Sequence, residues 1–243
     1  MWRLSLERRG GIMGELARKF IKYCDRNKLA KVNEFLSRGV DVNTVSESGP
    51  LACNRGQTAL MVACKSGFSA IVSRLIEVPG LDLNYETEDG YTAAHLASGN
   101  GHTECVKILA KTGKVDWNKR DSEGKTPLFW ALEDVHWDTV DIIVKQPNID
   151  YNVKTEEGKT LAHCVPLPYE TFANLETFDC WNVPDKEGNT PIMFAVKNEG
   201  LEGVEILLRC PRVDLSCRDK EGWSLLFRAI QFGYIGEEMS KAF

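Results

Sequence analysis

The sequence predicts an all-α protein, a solenoid of stacked helix–turn–helix units with projecting β-hairpin loops, about six to seven units in all. Three observations carry this. A Gly-x-Thr/Ser element recurs at Gly56, Gly90, Gly124, Gly158, Gly188 and Gly222, at intervals of 34, 34, 34, 30 and 34 residues. Other positions keep the same phase: Ala63, Ala97, Ala131, Ala195 and Ala229 lie seven residues after the glycine, and Val72, Val106, Val140 and Val204 lie sixteen after it. Helix start and stop signals then recur in the same order within each unit, so one amphipathic unit must bury its apolar face against the next.

Each element follows from local chemistry. The Thr of the Gly-x-Thr element caps a short helix, and Pro127 or Pro191 stands at the first helical position, where a missing N–H costs nothing. Leu60, Leu128 and Ile192 begin the apolar stripe, and the recurrent Ala is small because helices of adjacent units approach closely there. Gly67, Gly101 and Gly233 turn the chain before a second helix with apolar spacing of three and four, as in Val106, Leu109 and Ala110. That helix stops at Pro79, Gly113, Pro147 or Pro211. The triplets Asp41-Val42-Asn43, Asp82-Leu83-Asn84, Asp116-Trp117-Asn118 and Asp150-Tyr151-Asn152 suit the turns of a hairpin.

Residues 1–14 are read as a basic N-terminal segment or cap. Residues 15–243 form one repeat domain, with units at about 15–55, 56–89, 90–123, 124–157, 158–187 and 188–221 and a partial unit at 222–243. In the first unit Val32, Phe35 and Leu36 hold the phase of Val72, Leu75 and Ile76, and the loop NTVSESGPLACN has grown. The Gly158 unit is four residues short, and CVPLPYETF puts two prolines where its first helix should end. The Gly222 unit runs only to GEEMSKAF, short of a full second helix, and is read as either a half-repeat cap or the boundary of a fragment.

The segment GYTAAHLASGNGHTECVKILAKTGKVDWN resembles an ankyrin repeat, and GKTPLFWA and GNTPIMFA resemble that family's Thr-Pro-Leu-His element. The resemblance covers about residues 15 to 235. It implies that hairpin tips and the exposed side of the first helices line one concave surface where partner proteins dock. It also places His95 and His163 at the family's histidine position, as rings that bridge neighbouring repeats. His102 and His136 fall at the turn between helices.

Composition narrows the function. The chain is 43% apolar and 27% charged with a net charge of −5. Residues 1–40 hold ten Lys/Arg against four Asp/Glu, which leaves the remainder at −11. A nucleic-acid binder shows the reverse balance. No apolar run approaches the ~18 residues of a membrane span, and MWRLSLERRG lacks the apolar core of a signal peptide. The eight cysteines include no C-x-x-C pair and sit mostly inside apolar runs, as free thiols packed in a reducing compartment. The expected location is the cytoplasm, with the nucleus as the alternative.

No catalytic, cofactor or metal site is expected: nothing resembles a phosphate loop, paired zinc-ligand motifs or a serine elbow. The function expected is a non-catalytic interaction module, a scaffold, adaptor or inhibitor. A regulator of transcription or ubiquitin ligation acting through the same repeats is the alternative. Candidate binding residues vary in type at fixed phase. Six after the glycine stand Leu96, Trp130, Phe194 and Arg228; one after it stand Tyr91, Lys125 and Trp223. Asp89, Glu123, Glu157 and Glu187, with Glu221 beyond, form an acidic ridge along the tips. Trp130 is assigned to binding ahead of packing, and Phe194 is balanced between the two. Trp117, Tyr151 and Trp181 are assigned to hairpin-to-helix packing. Arg3, Arg8, Arg9, Arg18, Lys19 and Lys22 are read as a solvated face and cap. The expected partner is a protein of basic or mixed charge, bound by a monomer. The hairpin asparagines resemble those an asparaginyl hydroxylase modifies in some ankyrin proteins, beside their plainer role in turns.

Overall fold

The computed structural model describes residues 2–46, 56–164, 178–198 and 201–233. Among the described residues there are eleven α-helices and no β-strand; the projecting loops are turns, three of them marked by isolated bridges at Val45–Thr58, Lys154–Thr160 and Arg218–Ser224. The chain forms two compact units, residues 1–119 and 120–243.

The first unit holds α1 (Trp2–Asp25), α2 (Leu29–Ser37), α3 (Ala59–Lys65), α4 (Ser69–Ile76), α5 (Ala93–Gly99) and α6 (Thr103–Lys111). Helices α1, α3 and α5 pack in succession as one layer, and α2, α4 and α6 pack in succession as the second. Helix α1 runs unbroken through residue 14, with Ala17, Phe20, Ile21 and Cys24 turned inward. Val32 and Phe35 of α2 are buried, as their phase predicts. The second unit holds α7 (Pro127–Glu133), α8 (Trp137–Ile143), a 3-10 turn (Leu161–His163), α9 (Pro191–Asn198), α10 (Leu201–Leu208) and α11 (Leu225–Gln231). There α7 packs on α8, and α9 packs on the 3-10 turn, α10 and α11.

After α1, helices of seven to nine residues are too short to persist by propensity alone, so burial holds them. The recurrent alanines Ala63, Ala97, Ala131, Ala195 and Ala229 are all buried at the helix–helix approach. Thr58 accepts the Met61 N–H at 3.3 Å, Thr92 accepts the His95 N–H at 3.3 Å and Ser224 accepts the Phe227 N–H at 3.2 Å. Thr126 makes no such cap bond; Pro127 begins that helix instead. In the shortened Gly158 repeat a single 3-10 turn replaces the first α-helix, and the stretch beyond Cys164 lies outside the described residues.

Two devices register one hairpin on the next. The first is an asparagine bridge. Asn43 donates its side-chain N–H to Gly80 O at 2.7 Å and accepts the Asp82 N–H at 2.8 Å. Asn84 does the same with Lys114 O and the Asp116 N–H, and Asn182 with Arg212 O and the Asp214 N–H. These amides are thus structural. The second is a bond between tips: Glu156 N–H donates to Glu123 O at 2.7 Å, and Lys186 N–H donates to Glu157 O at 2.8 Å. Gly158, with φ at +80°, makes room for the latter, since a Cβ there would lie 2.9 Å from the Lys186 nitrogen.

Trp117, Tyr151 and Trp181 are buried as expected from phase, and the Tyr151 hydroxyl donates to Val144 O at 2.9 Å. His95, His102 and His163 serve the scaffold. His163 Nδ1 accepts the Thr160 N–H at 3.0 Å while Nε2 donates to Asn189 O, in the next repeat, at 3.1 Å. The two bonds together require the neutral Nε2–H tautomer. His95 forms the same capping box with Thr92, and His102 donates to Lys65 O at 3.0 Å.

Candidate interaction face

The candidate face of the second unit is built on carboxylates that the sequence reading passed over. Asp121, Asp185 and Asp219 stand three residues before the repeat glycine, and all three are buried. Each folds its own tip. Asp121 accepts the N–H groups of Glu123 and Lys125, both at 2.9 Å. Asp185 accepts those of Glu187 and Asn189, and Asp219 those of Glu221 and Trp223. The signal was present in the sequence: this column reads Thr87, Asp121, Thr155, Asp185, Asp219, all side chains able to accept a backbone N–H a few residues on. Thr87 and Thr155 accept from Tyr91 and Lys159 in the same way.

The second carboxylate oxygen then reaches the variable position six after the glycine. Asp121 Oδ2 accepts the Trp130 indole N–H at 2.9 Å, and Asp219 Oδ2 accepts from Arg228 Nε at 2.7 Å. Trp130 is half-buried and fixed in orientation. Arg228 is only 8% exposed, because its guanidinium is turned onto Asp219 and Glu221. Burial raises the Asp219 carboxyl, but the bonds from Arg228 and the Trp223 N–H outweigh it and leave the group below the ordinary carboxylate range. Leu96, in the same column, is 5% exposed and belongs to the core. Leu96 and Arg228 therefore offer a partner little surface, contrary to expectation. A leucine loses contact with water wherever helices close over it, and a guanidinium can be buried where two carboxylates meet it.

Lysines lie between the tips and the rings. Lys125 bridges Glu123 at 3.0 Å and Glu133 at 2.8 Å. Burial opposes its charge, yet the bonds to Glu133 and Glu123 prevail and raise its affinity for the proton. Lys159 pairs with Glu157 at 2.8 Å and lies 4.9 Å from the centre of the Phe194 ring. Phe194, half-buried, meets the His163 ring edge-on at 5.8 Å. Glu123, Glu157, Glu187 and Glu221 are exposed at the tips. In the first unit Asp89 is exposed and Tyr91 half-buried. Trp223 departs from the set: it is exposed on the outer side of α11, stacked on Phe227 at 4.0 Å.

Among the described residues, no three His, Cys, Asp or Glu side chains are placed to hold a metal ion, and no helix is long and apolar enough to cross a membrane. The described cysteines are free thiols; Cys53 lies outside the described residues. Arg3, Arg8 and Arg9 lie along α1, and their side chains are likewise outside the described residues, whereas Arg18, Lys19 and Lys22 are exposed on that helix.

Comparison with known families agrees with this architecture. The family model for ankyrin repeats (3 copies) matches residues 20–121 and 78–155, and that for ankyrin repeats (many copies) matches residues 179–229. No curated protein gives a significant match to the chain. Ankyrin repeats are generally non-catalytic protein–protein interaction modules. With its helix pairs, capped turns and bridged hairpins matched over more than half its length, the chain belongs to the ankyrin repeat family.

Proposed function

We propose that this protein is a non-catalytic scaffold, adaptor or inhibitor inside the cell. It binds a protein of basic or mixed charge through the tips and first helices of residues 120–233, on Glu123, Lys125, Trp130, Glu157, Glu187 and Phe194. The observation that carries the reading is the state of Trp130: a half-buried indole locked by Asp121 beneath exposed tip carboxylates. A ring held in place before binding gives contact area at small entropic cost. Glu123 and Glu157 are exposed while Lys125 and Lys159 are half-buried beside them, so the outer faces of these carboxylates are open to a partner's cations. Tyr91 and Asp89 offer the first unit a face of the same kind.

The test begins with capture of the partner from native cells and continues with the purified pair. Trp130→Ala should weaken binding by about 2 kcal/mol or more, whereas Trp130→Phe, which keeps a ring, should retain most of the affinity. Association should slow several-fold as salt rises, because exposed charges set the on-rate more than the residence time. Unchanged affinity in Trp130→Ala, with salt-independent association, would remove the face from consideration.

A further inference from the structure

The three buried tip aspartates of the second unit differ in what meets their second oxygen. Position six after the glycine supplies a donor in two repeats: the Trp130 indole N–H reaches Asp121 Oδ2 at 2.9 Å, and Arg228 Nε reaches Asp219 Oδ2 at 2.7 Å. Arg228 also donates from Nη2 to Glu221, so one guanidinium spans the aspartate three before the glycine and the glutamate one before it. In the Gly188 repeat those two positions hold Asp185 and Glu187, but position six is Phe194, whose side chain has no donor. The Asn189 side-chain amide reaches the two carboxylates instead, at 3.3 Å from Asp185 Oδ2 and 3.4 Å from Glu187 Oε2.

Charge separates this tip from its neighbours. Glu123 pairs with Lys125, Glu157 with Lys159 and Glu221 with Arg228. Among the described residues no cation pairs with Glu187 or with Asp185. Two lysines of the face are held elsewhere: Lys159 by Glu157, and Lys197 by Asn189 Oδ1 at 2.6 Å, with Asp219 at 3.7 Å. Phe194 turns to the preceding repeat, where its ring meets His163 edge-on and Lys159 at 4.9 Å, and Glu187 stays exposed.

We infer that an arginine of the partner protein binds the Asp185–Glu187 pair in trans, as Arg228 binds Asp219 and Glu221 in cis. The inference rests on the face proposed above and names the group that anchors there. One amide nitrogen already lies within reach of both carboxylates, so a planar fork of donors meets both oxygens at once. A lysine ammonium is a point charge without that fork. The guanidinium meets Glu187 at the surface and takes over the two long bonds of the Asn189 amide, which keeps Lys197 on its Oδ1. Charge-assisted bonds replace neutral-donor bonds in the exchange, and these are roughly twice as strong.

Fluorescein-labelled hexa-arginine and hexa-lysine, titrated onto the full chain by anisotropy at about 150 mM salt, test this, because they match in charge and differ in the fork. Hexa-arginine should bind about tenfold tighter than hexa-lysine, the scale of one charge-assisted bond. Glu187→Gln, at an exposed position, should remove most of that preference with helix content unchanged. Phe194→Arg should remove it too, since the new guanidinium meets the pair in cis, whereas Phe194→Leu should keep it. Equal binding of the two peptides would overturn the inference, and so would an arginine preference that Glu187→Gln leaves intact. The face as a whole fails on a separate result, unchanged affinity for the captured partner in Trp130→Ala, so the two failures are distinguishable.

Discussion

Replacing Gly158 by Ala should weaken the second unit more than the same change at Gly222, although the two glycines have nearly identical backbones. Their φ values are +80° and +81°. An L-residue forced into that left-handed region costs about 1–2 kcal/mol at either site. At Gly222 nothing lies within 4 Å of the new methyl group, so the cost ends there. At Gly158 the methyl carbon would stand 2.9 Å from the Lys186 nitrogen and 3.3 Å from the Asp185 Cα. Those atoms are backbone and must move. The movement disrupts the bond from the Lys186 N–H to Glu157 O, 2.8 Å long, which joins one tip to the next. Losing such a bond costs about 0.5–1.5 kcal/mol, bringing the total at Gly158 to roughly 1.5–3.5 kcal/mol. Urea unfolding followed by circular dichroism measures the totals. Hydrogen exchange at the Lys186 amide measures the local part and should show lost protection only in Gly158→Ala. Equal destabilisation by the two changes, with the Lys186 amide still protected, would refute the reasoning.

Three further outcomes are expected. Leu128 is almost wholly buried between helices, so Leu128→Ala should cost about 2–5 kcal/mol in thermal or urea unfolding, and a loss below about 1 kcal/mol would contradict the packing described. Burial holds the His163 proton affinity below the ordinary histidine value despite its bond to Asn189 O. The unfolded chain therefore takes up this proton first, near pH 6.5. Stability should fall as pH drops through about 6.5, by at most about 1.4 kcal/mol per pH unit for this group, until His163 titrates in the fold. A flat difference between wild type and His163→Gln from pH 7 to 5 would exclude the effect. Burial also pushes the thiols of Cys24 to about 12 and of Cys105 and Cys180 to about 11, and Cys64 well above its ordinary value. Iodoacetamide at pH 8 should label these four slowly in the folded protein and quickly in denaturant, and a reductant should leave the melting temperature unchanged. Rapid labelling of the folded chain would show the core to be open.

Much of the architecture was legible in the residues because it is written in short-range patterns. The 34-residue period, the alanine column, the proline and glycine stops and the capping threonines each act within a few residues, so they announce a helix wherever they occur. Phase also placed Trp117, Tyr151 and Trp181 in the core, and the family resemblance gave His163 to the scaffold, where its ring bonds the next repeat. Tertiary structure decided what each variable position meets. Trp130 and Arg228 occupy one column of the repeat, and only the folded tip shows Asp121 and Asp219 reaching back nine residues to take them. Leu96 in that column is core while Phe194 keeps part of its ring at the surface. Leu226, Phe227 and Ile230 carry the pattern of buried residues and nonetheless face outward. The physical reason is the same in each case. Periodicity specifies which side of a helix a residue occupies, whereas burial and desolvation depend on what stands opposite it, and that is set by chain distant in sequence.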